Sequence, residues 1–295
     1  MNNKIKRSLP EKLFNVFNIL LLAGLSLVTL YPVLHVVFAS FSDPVEYMKH
    51  TGIMTGPVGF SLEAYKRVLE KPEIYTGYFN TIYYVVVGTV INMALTVSFG
   101  YVLSRKNLYF NKFIMIMVLF SMYFGGGLIP TYLVVRSLGI MDTRWAVILP
   151  TAISTFNLII MRTAFQGVPI SLEEAAKVDG MKPLGILVKI MIPLTSPTIA
   201  VLVLYYAVHH WNTWFQAAIY LRDAKLYPLQ LYLREILILN DQEDMLIASQ
   251  TAEQMALSSI IKYATIIIAT VPILVLYPFL QKYFTKGIMV GAVKG

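Results

Sequence analysis

The sequence predicts an all-α polytopic membrane protein with six transmembrane helices. Hydrophobic residues make up 57% of the 295-residue chain and charged residues only 14%, and the mean hydropathy is +0.65. Six apolar runs reach about 20 residues or more, the length that an α-helix needs to cross a bilayer. These runs are longer than the strands of a membrane barrel, and backbone groups in lipid must be bonded within the segment, so helices are favoured.

The six predicted spans follow the apolar runs. They are Phe14–Phe41, Thr76–Leu103, Phe113–Leu133, Trp145–Phe165, Pro193–Ile219 and Met255–Leu280. The first run follows Met1–Lys12 in the manner of a secretory signal, but it is about twice as long as a signal-peptide core and lacks an A-x-A cleavage site. We interpret it as a retained anchor.

The charge distribution predicts the orientation. With the N-terminus in the cytoplasm, the cytoplasmic segments hold fourteen basic and four acidic residues, a net +10, whereas the outer loops hold nine basic and twelve acidic residues, a net −3. Basic residues in short loops and ends favour the cytoplasm. Both termini are therefore predicted to be cytoplasmic, and the formal net charge of +8 reflects membrane topology, not nucleic-acid binding.

The chain divides into three predicted parts. Residues 1–75 hold the anchor helix and an external loop, residues 76–280 a five-helix core, and residues 281–295 a cytoplasmic tail. No repeat with a period of 20 to 50 residues is present, so the core is one membrane domain without internal duplication.

Two outer segments are long enough to meet an extracytoplasmic partner. They are Ser42–Tyr75, in which Pro44, Pro57 and Pro72 are expected to act as helix breakers, and Tyr220–Glu253.

Several kinds of chemistry are missing from the sequence. There is no G-x-x-x-x-G-K-[ST] phosphate loop, because Gly125–Gly127 has no following lysine, and the cysteine count is zero. The pair His209-His210 lacks the H-E-x-x-H spacing of a zinc site. None of the six spans contains Asp or Glu, which disfavours proton-coupled carriers and intramembrane aspartyl proteases. A sodium-coupled secondary transporter that uses backbone carbonyls stays open as an alternative.

The cytoplasmic segment 171–180 is predicted to form a short, strongly capped helix. Ser171 and Glu174 have the S-x-x-E spacing of a capping box, in which each side chain bonds an early backbone amide. Gly180 suits the left-handed position after a helix, and Pro183 prevents continuation. One face, predicted to dock a partner, carries Leu172, Ala175, Ala176 and Asp179 at i, i+3, i+4, i+7 spacing.

These residues resemble a family signature. Glu174-Ala175-Ala176, then Gly180, then Ile190-x-Ile192-Pro193 is similar to the E-A-A…G…I-x-L-P signature of bacterial ABC importer permeases, with Ile192 in place of leucine. The alternative explanation is an ordinary capped loop helix without a partner. The full spacing, placed before a proline-led apolar run, favours the permease.

Further segments resemble carbohydrate permeases of the maltose-transporter type. They are Phe60-Ser-Leu-Glu-Ala-Tyr65, Gly127-Leu-Ile-Pro-Thr-Tyr132, Trp211-Asn212 and the terminal Gly291-Ala-Val-Lys-Gly295. The resemblance implies a type I ABC importer transmembrane domain in a bacterial plasma membrane, with an oligosaccharide as cargo. It also implies three kinds of protein partner besides membrane lipid: a second, similar permease, two ATPase subunits and an extracytoplasmic sugar-binding protein. ATP and magnesium are implied to bind the ATPase subunits. This chain itself is expected to bind no cofactor or metal and to catalyse no reaction.

The resemblance also assigns roles to two sets of residues. Glu174, Ala175, Ala176 and Gly180 are implied to sit in a cleft of the ATPase and to couple its closure to the membrane domain. The tail residues Gly291, Lys294 and Gly295 are implied to reach between the two ATPases. A flexible basic tail without that role is the default explanation for them.

Polar and aromatic residues within the spans are candidates for the substrate pathway, because aromatic faces cover sugar C–H groups and Asn or His meets hydroxyls. Such residues are Asn92, Tyr123, Asn157, His209, Trp211, Asn212 and Trp214. The pathway candidates chosen from them are Tyr123, Asn157, His209, Trp211 and Asn212. Packing between helices and the aromatic belt at the membrane interface are alternative explanations for each. Two rival classes stay open for the whole chain: a stand-alone ion-coupled secondary transporter and, more distantly, a membrane-embedded enzyme.

Overall fold

The computed structural model describes residues 9–105, 108–245 and 256–275. Within these ranges every regular element is a helix, and the one extended pairing is an isolated bridge between Ser42 and Phe60. The described chain forms two compact units. One holds the residues up to Lys71 together with those from Ile236 to Thr270, and the other holds Pro72–Glu235 and the residues from Val271 onward.

The first unit begins with three helices: α1 (Leu9–Ser40), α2 (Pro44–Lys49) and α3 (Glu63–Leu69). Helix α2 starts where the sequence places a breaker, because proline tolerates the first helical position, where no backbone N–H is needed. An oxygen of Asp43 accepts the amide hydrogen bonds of Val45 and Glu46 at 3.0 and 3.1 Å and so caps this helix. Pro44 therefore initiates a helix instead of ending one.

The second unit contains most of the remaining helices. In chain order they are α4 (Pro72–Ser104), α5 (Asn111–Tyr123), α6 (Leu128–Ser137), α7 (Arg144–Ile148), a 3₁₀ turn (Leu149–Thr151), α8 (Thr155–Gln166), α9 (Ile170–Val178), α10 (Pro183–Ile186), a π-helix (Leu187–Met191), α11 (Ile192–Leu194), α12 (Ser196–Trp211), α13 (Phe215–Tyr220), a 3₁₀ turn (Ala224–Leu226) and the start of α14 (Leu229–Met245). The last described helix is α15 (Ala256–Val275). Pro72, the second predicted breaker that proves to start a helix, is the first residue of α4.

The six predicted spans correspond to three long helices and three bent pairs. Helices α1, α4 and α15 are each long and apolar enough to cross a membrane. The predicted third, fourth and fifth spans are bent by 113° between α5 and α6, by 51° between α7 and α8, and by 86° before α12. The sequence predicted each of these three as one continuous helix, so the bends are corrections to that expectation.

The bends have local causes. Gly127, which ends the break before α6, has a φ of 85°, a backbone conformation that glycine adopts without strain. At the fifth span, Pro193 cannot donate a helical hydrogen bond, and the preceding turn is a π-helix in which Ile192 bonds to the carbonyl of Leu187. The Thr195 hydroxyl then donates to the carbonyl of Met191 at 2.7 Å at the bend.

The break between α7 and α8 exposes backbone groups that side chains from two other helices satisfy. The Asn92 amide nitrogen on α4 donates to the carbonyl of Thr151 at 2.7 Å, so the Asn92 oxygen is free to accept from His210 Nε2 on α12, also at 2.7 Å. One turn away, the Tyr206 hydroxyl on α12 accepts from the amide of Ser154 at 3.1 Å. We call these bonds the break brace.

The brace also joins α4 to α12 directly. Thr96, one turn after Asn92, lies 2.7 Å from the Tyr206 hydroxyl, and the side chains of Thr96, Tyr206 and His210 are buried. Gly88 allows the two helices to approach, because a Cβ atom there would lie 2.4 Å from His210 Nε2. A backbone break is thus tolerated in an apolar helix bundle because neighbouring helices supply its hydrogen bonds.

At the other end of α4, polar side chains hold the loop that follows α13. The Asn80 amide nitrogen donates to the carbonyls of Lys225 and Tyr227 at 2.7 and 3.0 Å, and Arg144 donates to the Asn80 oxygen at 3.0 Å. The Tyr84 hydroxyl donates to the carbonyl of Leu226 at 2.9 Å. The loop is therefore ordered by α4 and α7.

Asp142, in the turn before α7, binds the same loop. One of its oxygens accepts from the amides of Arg222 and Asp223 at 2.8 and 2.9 Å. The hydrogen bonds from Asp223 and Arg222 lower the pKa of this carboxyl, because they favour its charged form.

We expect Gly88→Ala to destabilise the protein. The added methyl group must displace the His210 ring from Asn92, and overpacking of this kind costs about 1–3 kcal/mol. Denaturant unfolding of the purified chain in detergent measures the loss. Gly24→Ala is the matched control, because Gly24 also lies in a long helix and a Cβ there meets no atom within 4 Å. Equal stability of the two variants would contradict the close approach of α4 and α12.

Candidate functional site

Helix α9 carries the sequence signature, but it does not begin with a capping box. The residue before the helix is Pro169, with extended backbone, and no side chain caps the first turn. The helix starts at Ile170, so Ser171 already has helical backbone and cannot take the extended N-cap geometry that the box requires. The predicted box between Ser171 and Glu174 is wrong, and the helix spans 170–178 instead of 171–180.

The end of α9 matches the prediction. Gly180 has a φ of 77°, the left-handed position after a helix. Its amide bonds to the carbonyl of Lys177 at 3.0 Å, and the amide of Met181 bonds back to the carbonyl of Ala176 at 2.9 Å. This pair of bonds is a Schellman motif, which glycine favours. The chain therefore reverses sharply from α9 toward α10.

The inner face of α9 packs on the rest of the second unit. Ala176 is buried in an apolar cluster with Tyr101, Met161, Phe165, Ile186, Leu187, Met191 and Leu202. Glu173, one turn earlier, is also buried, with 6% of its surface exposed. The prediction that Ala176 belongs to an outward docking face is therefore wrong, because this alanine touches the chain's own core.

The outer face of α9 is rotated from the predicted one. With 100° between successive residues, Ser171, Glu174, Ala175 and Val178 lie opposite Glu173 and Ala176, and all four are exposed. Val178 is 88% exposed, a large value for an apolar residue. Leu172 and Asp179 flank this face and are exposed as well. We call these six residues the outer face of α9.

Glu173 makes ion pairs within the chain. Its carboxylate contacts the guanidinium of Arg105, just after α4, and lies 3.0 Å from the ammonium of Lys177. Burial lowers the pKa of Arg105, the direction expected when a cation is taken out of water. The paired carboxylate offsets this cost, and the partly buried arginine in turn compensates for the buried carboxylate.

The candidate pathway residues lie in different surroundings. Tyr123 is 77% exposed at the end of α5, beside the break that precedes α6. Asn157 is buried in the first turn of α8. His209 and Asn212 are exposed near the end of α12, and Asn212 donates to the carbonyl of Val208 at 2.8 Å. Trp211 is buried, and its ring lies 6.4 Å from that of Tyr78.

The structure does not gather these five residues into one site. Among residues 108–245, no hydrogen bond or ring contact joins one of them to another. A buried polar residue that does bond across helices is His210, the neighbour of His209, which bonds to Asn92. The predicted fifth span is also shorter than expected, because α12 ends at Trp211 and Phe215–Tyr220 is a separate helix.

The remaining predicted site residues belong to the C-terminal tail. The tail residues Gly291, Lys294 and Gly295 lie outside the described residues. Within the described ranges, no three His, Asp or Glu side chains cluster as a metal site requires.

Sequence reasoning missed Arg105 and Glu173. The only signal for Glu173 was its spacing from Lys177, which is common on exposed helices. Arg105 was visible only as part of a basic loop that indicated orientation. The contact between them joins residues 68 positions apart and depends on how α9 folds back.

Comparison with known proteins gives a consistent result. Residues 74–290 match the family model described as "Binding-protein-dependent transport system inner membrane component". The chain is 42% identical over 292 residues to the polygalacturonan/rhamnogalacturonan transport system permease protein YtcP of Bacillus subtilis, covering 97% of this chain and 100% of that protein. It is also 42% identical to protein LplC of Bacillus subtilis, covering 96% of each.

A solved structure shares the fold. It is the crystal structure of a bacterial ABC transporter involved in the import of the acidic polysaccharide alginate. The TM-score is 0.86 at 31% sequence identity, and the match covers 95% of this chain and 100% of that chain.

We expect Gly180→Val to destabilise the end of α9 more than Gly180→Asn does. A Cβ at this position meets no atom within 4 Å, so the difference measures backbone strain alone. A β-branched residue in the left-handed region costs about 1–2 kcal/mol, whereas asparagine tolerates it. Amide hydrogen exchange of α9 in the purified chain measures the loss. Equal protection in both variants would contradict the left-handed assignment.

Proposed function

Because the chain belongs to the family of binding-protein-dependent transport system inner membrane components, we propose that it is the permease subunit of an ABC importer for oligosaccharides. As a transport subunit of this family it is not an enzyme, and the ATPase is a separate chain. The observation that carries the proposal is α9: a signature helix whose inner face packs on the membrane helices while its outer face is exposed.

We propose that the outer face of α9 docks on the partner ATPase. Its centre combines the carboxylate of Glu174 with the small Ala175 and the exposed apolar Val178, so a cleft can enclose it closely. Gly180 fixes the direction in which the chain leaves the docked helix. Ala176 contributes in another way, because it packs α9 against the apolar cluster around Tyr101 and Met161.

The proposed assembly has further partners. A second permease would complete the translocation pathway, and an extracytoplasmic binding protein would deliver the sugar. The charge asymmetry supports an orientation with both termini and α9 in the cytoplasm. The loop that Asn80, Arg144 and Asp142 hold would then face outward and offer an ordered surface to the binding protein.

The proposed cargo is an oligosaccharide fragment of an acidic polysaccharide. A relative that is 42% identical along its whole length is named for the transport of polygalacturonan and rhamnogalacturonan, and the solved structure concerns alginate import. Oligogalacturonides are therefore the first substrates to test. The pathway residues Tyr123, Asn157, His209, Trp211 and Asn212 stay candidates for contact with the sugar.

We expect ATP-driven uptake of oligogalacturonides by vesicles that contain this chain with its second permease, ATPase and binding protein. Glu174→Lys should abolish uptake at normal membrane amounts, because it places a reversed charge at the centre of the outer face of α9. Glu174→Gln is the control that removes the charge without reversing it, and it should be less impaired.

Two outcomes would contradict the proposal. One is sugar uptake by the lone chain driven by an ion gradient, which would make it a secondary transporter. The other is unchanged uptake and firm ATPase attachment in Glu174→Lys, which would remove α9 from the docking surface.

A further inference from the structure

Glu173 has a contact that docking does not explain. This carboxylate lies on the inner face of α9, turned toward its own chain, with 8% of its side chain exposed. Burying a carboxylate costs free energy unless a cation and hydrogen-bond donors compensate for it. A helix that served only as an external docking surface would need no charge on this face.

The partner that compensates for Glu173 is held in place. The Nε of Arg105 donates to the Ser104 hydroxyl at 3.1 Å, and its guanidinium stacks 4.5 Å above the Tyr101 ring. This leaves the terminal nitrogens of the guanidinium to contact Glu173. The Arg105 guanidinium is therefore held in a fixed position against the last turn of α4.

Neighbouring residues fix the end of α4 as well. The Arg162 side chain on α8 donates to the carbonyl of Leu103 at 2.9 Å, and the side-chain amide of Asn111 donates to the carbonyl of Arg105 at 2.8 Å. Gly100 brings α8 close, because a Cβ there would lie 3.1 Å from Met161. A force applied to Arg105 is thus applied to α4 and α8 together.

We propose that Arg105 and Glu173 are positioning residues that join α9 to α4, so that movement of the docked helix is transferred to the membrane helices. This inference rests on the proposed function, in which α9 docks on an ATPase. Apolar packing alone holds α9 weakly in place, because Ala176 is the one buried apolar residue of this helix. The ion pair adds a directional link that resists sliding of α9 across the end of α4.

Helix α4 carries such movement to the break brace. Asn92 lies 13 residues before Arg105, about 20 Å along the helix. It bonds both to the broken fourth span and to α12. A shift of α9 therefore reaches the hydrogen bonds that hold the broken span through one continuous helix.

We call the ion pair between Arg105 and Glu173 the joint. Exchanging the charges of these two residues tests it. Because Lys177 also contacts Glu173, the reference is the full transporter with Lys177→Gln. We expect Arg105→Glu and Glu173→Arg each to lower uptake and sugar-stimulated ATP hydrolysis by at least about tenfold, because each leaves a buried charge unpaired. The double variant should recover most of both activities, with the ATPase attached in every case. The specificity control is Arg105→Glu combined with Glu174→Arg. Because Glu174 lies in the docking face, this control is judged by the order of α9 in the chain without ATPase, which it should not restore.

A second readout does not depend on transport. The cysteine-free chain accepts one nitroxide label at Ser171→Cys, which reports the order of α9 in the purified chain without ATPase. Each single substitution should raise the mobility of the label, and the double substitution should return the mobility to that of the reference. If Arg105→Glu does not accumulate in the membrane, a double-mutant cycle of Arg105→Gln and Glu173→Gln replaces the charge exchange.

The outcomes separate the two proposals. Absence of ATP-driven uptake in the transporter without any substitution would refute the proposed function, and the label would still decide whether Arg105 and Glu173 order α9. Restored label order without restored uptake would show that the pair orders α9 but does not transfer its movement. Unchanged single variants, or a double variant as impaired as the singles in both readouts, would overturn the joint itself.

Discussion

Backbone groups released at a helix break in apolar surroundings must find new hydrogen-bond partners, and this requirement organises the second unit of the chain. At the break between α7 and α8, the partners come from Asn92 on α4 and Tyr206 on α12. The same requirement fixes the spacing between α4 and α12, because the brace forms only where Gly88 admits the His210 ring. Broken spans and close helix contacts are therefore parts of one arrangement.

Helix α4 connects the features that bear on function. Its first turns order the loop after α13 through Asn80, its middle holds the break brace, and the arginine after its last turn meets Glu173 on α9. An importer must couple a cytoplasmic docking event to a change across the membrane. In the proposed orientation, a single helix that contacts all three levels provides a direct physical route for that coupling.

The sequence predicted the parts of the fold that depend on local chemistry. Membrane character follows from composition, and the left-handed Gly180 follows from the glycine that ends the helical pattern. The capping box failed because Pro169 starts the helix early, which leaves Ser171 inside it. The bends in three spans were missed because apolar runs continue across them, and hydropathy does not record where backbone hydrogen bonds are interrupted.

For α9, the predicted docking face agrees with the structure only in part. Glu174 and Ala175 are exposed as a docking surface requires, whereas Ala176 turns inward, because a helical face alone does not tell which side meets the core. Arg105 and Glu173 could not be paired from the sequence, since their contact depends on tertiary folding. The polar residues of α12 show the limit as well: His210 forms the brace, although the adjacent His209 was the pathway candidate.

The most direct test of the account is a cysteine cross-linking scan of positions 170–178 against the ATPase in the assembled transporter. The chain has no native cysteine, so each substitution reports its own position. Docking through the outer face of α9 predicts a helical pattern, with the strongest cross-links at 171, 174, 175 and 178 and the weakest at 173 and 176. Absence of cross-links along the whole helix, or strongest cross-links at 173 and 176, would contradict the docking of α9 and the cytoplasmic orientation on which it depends.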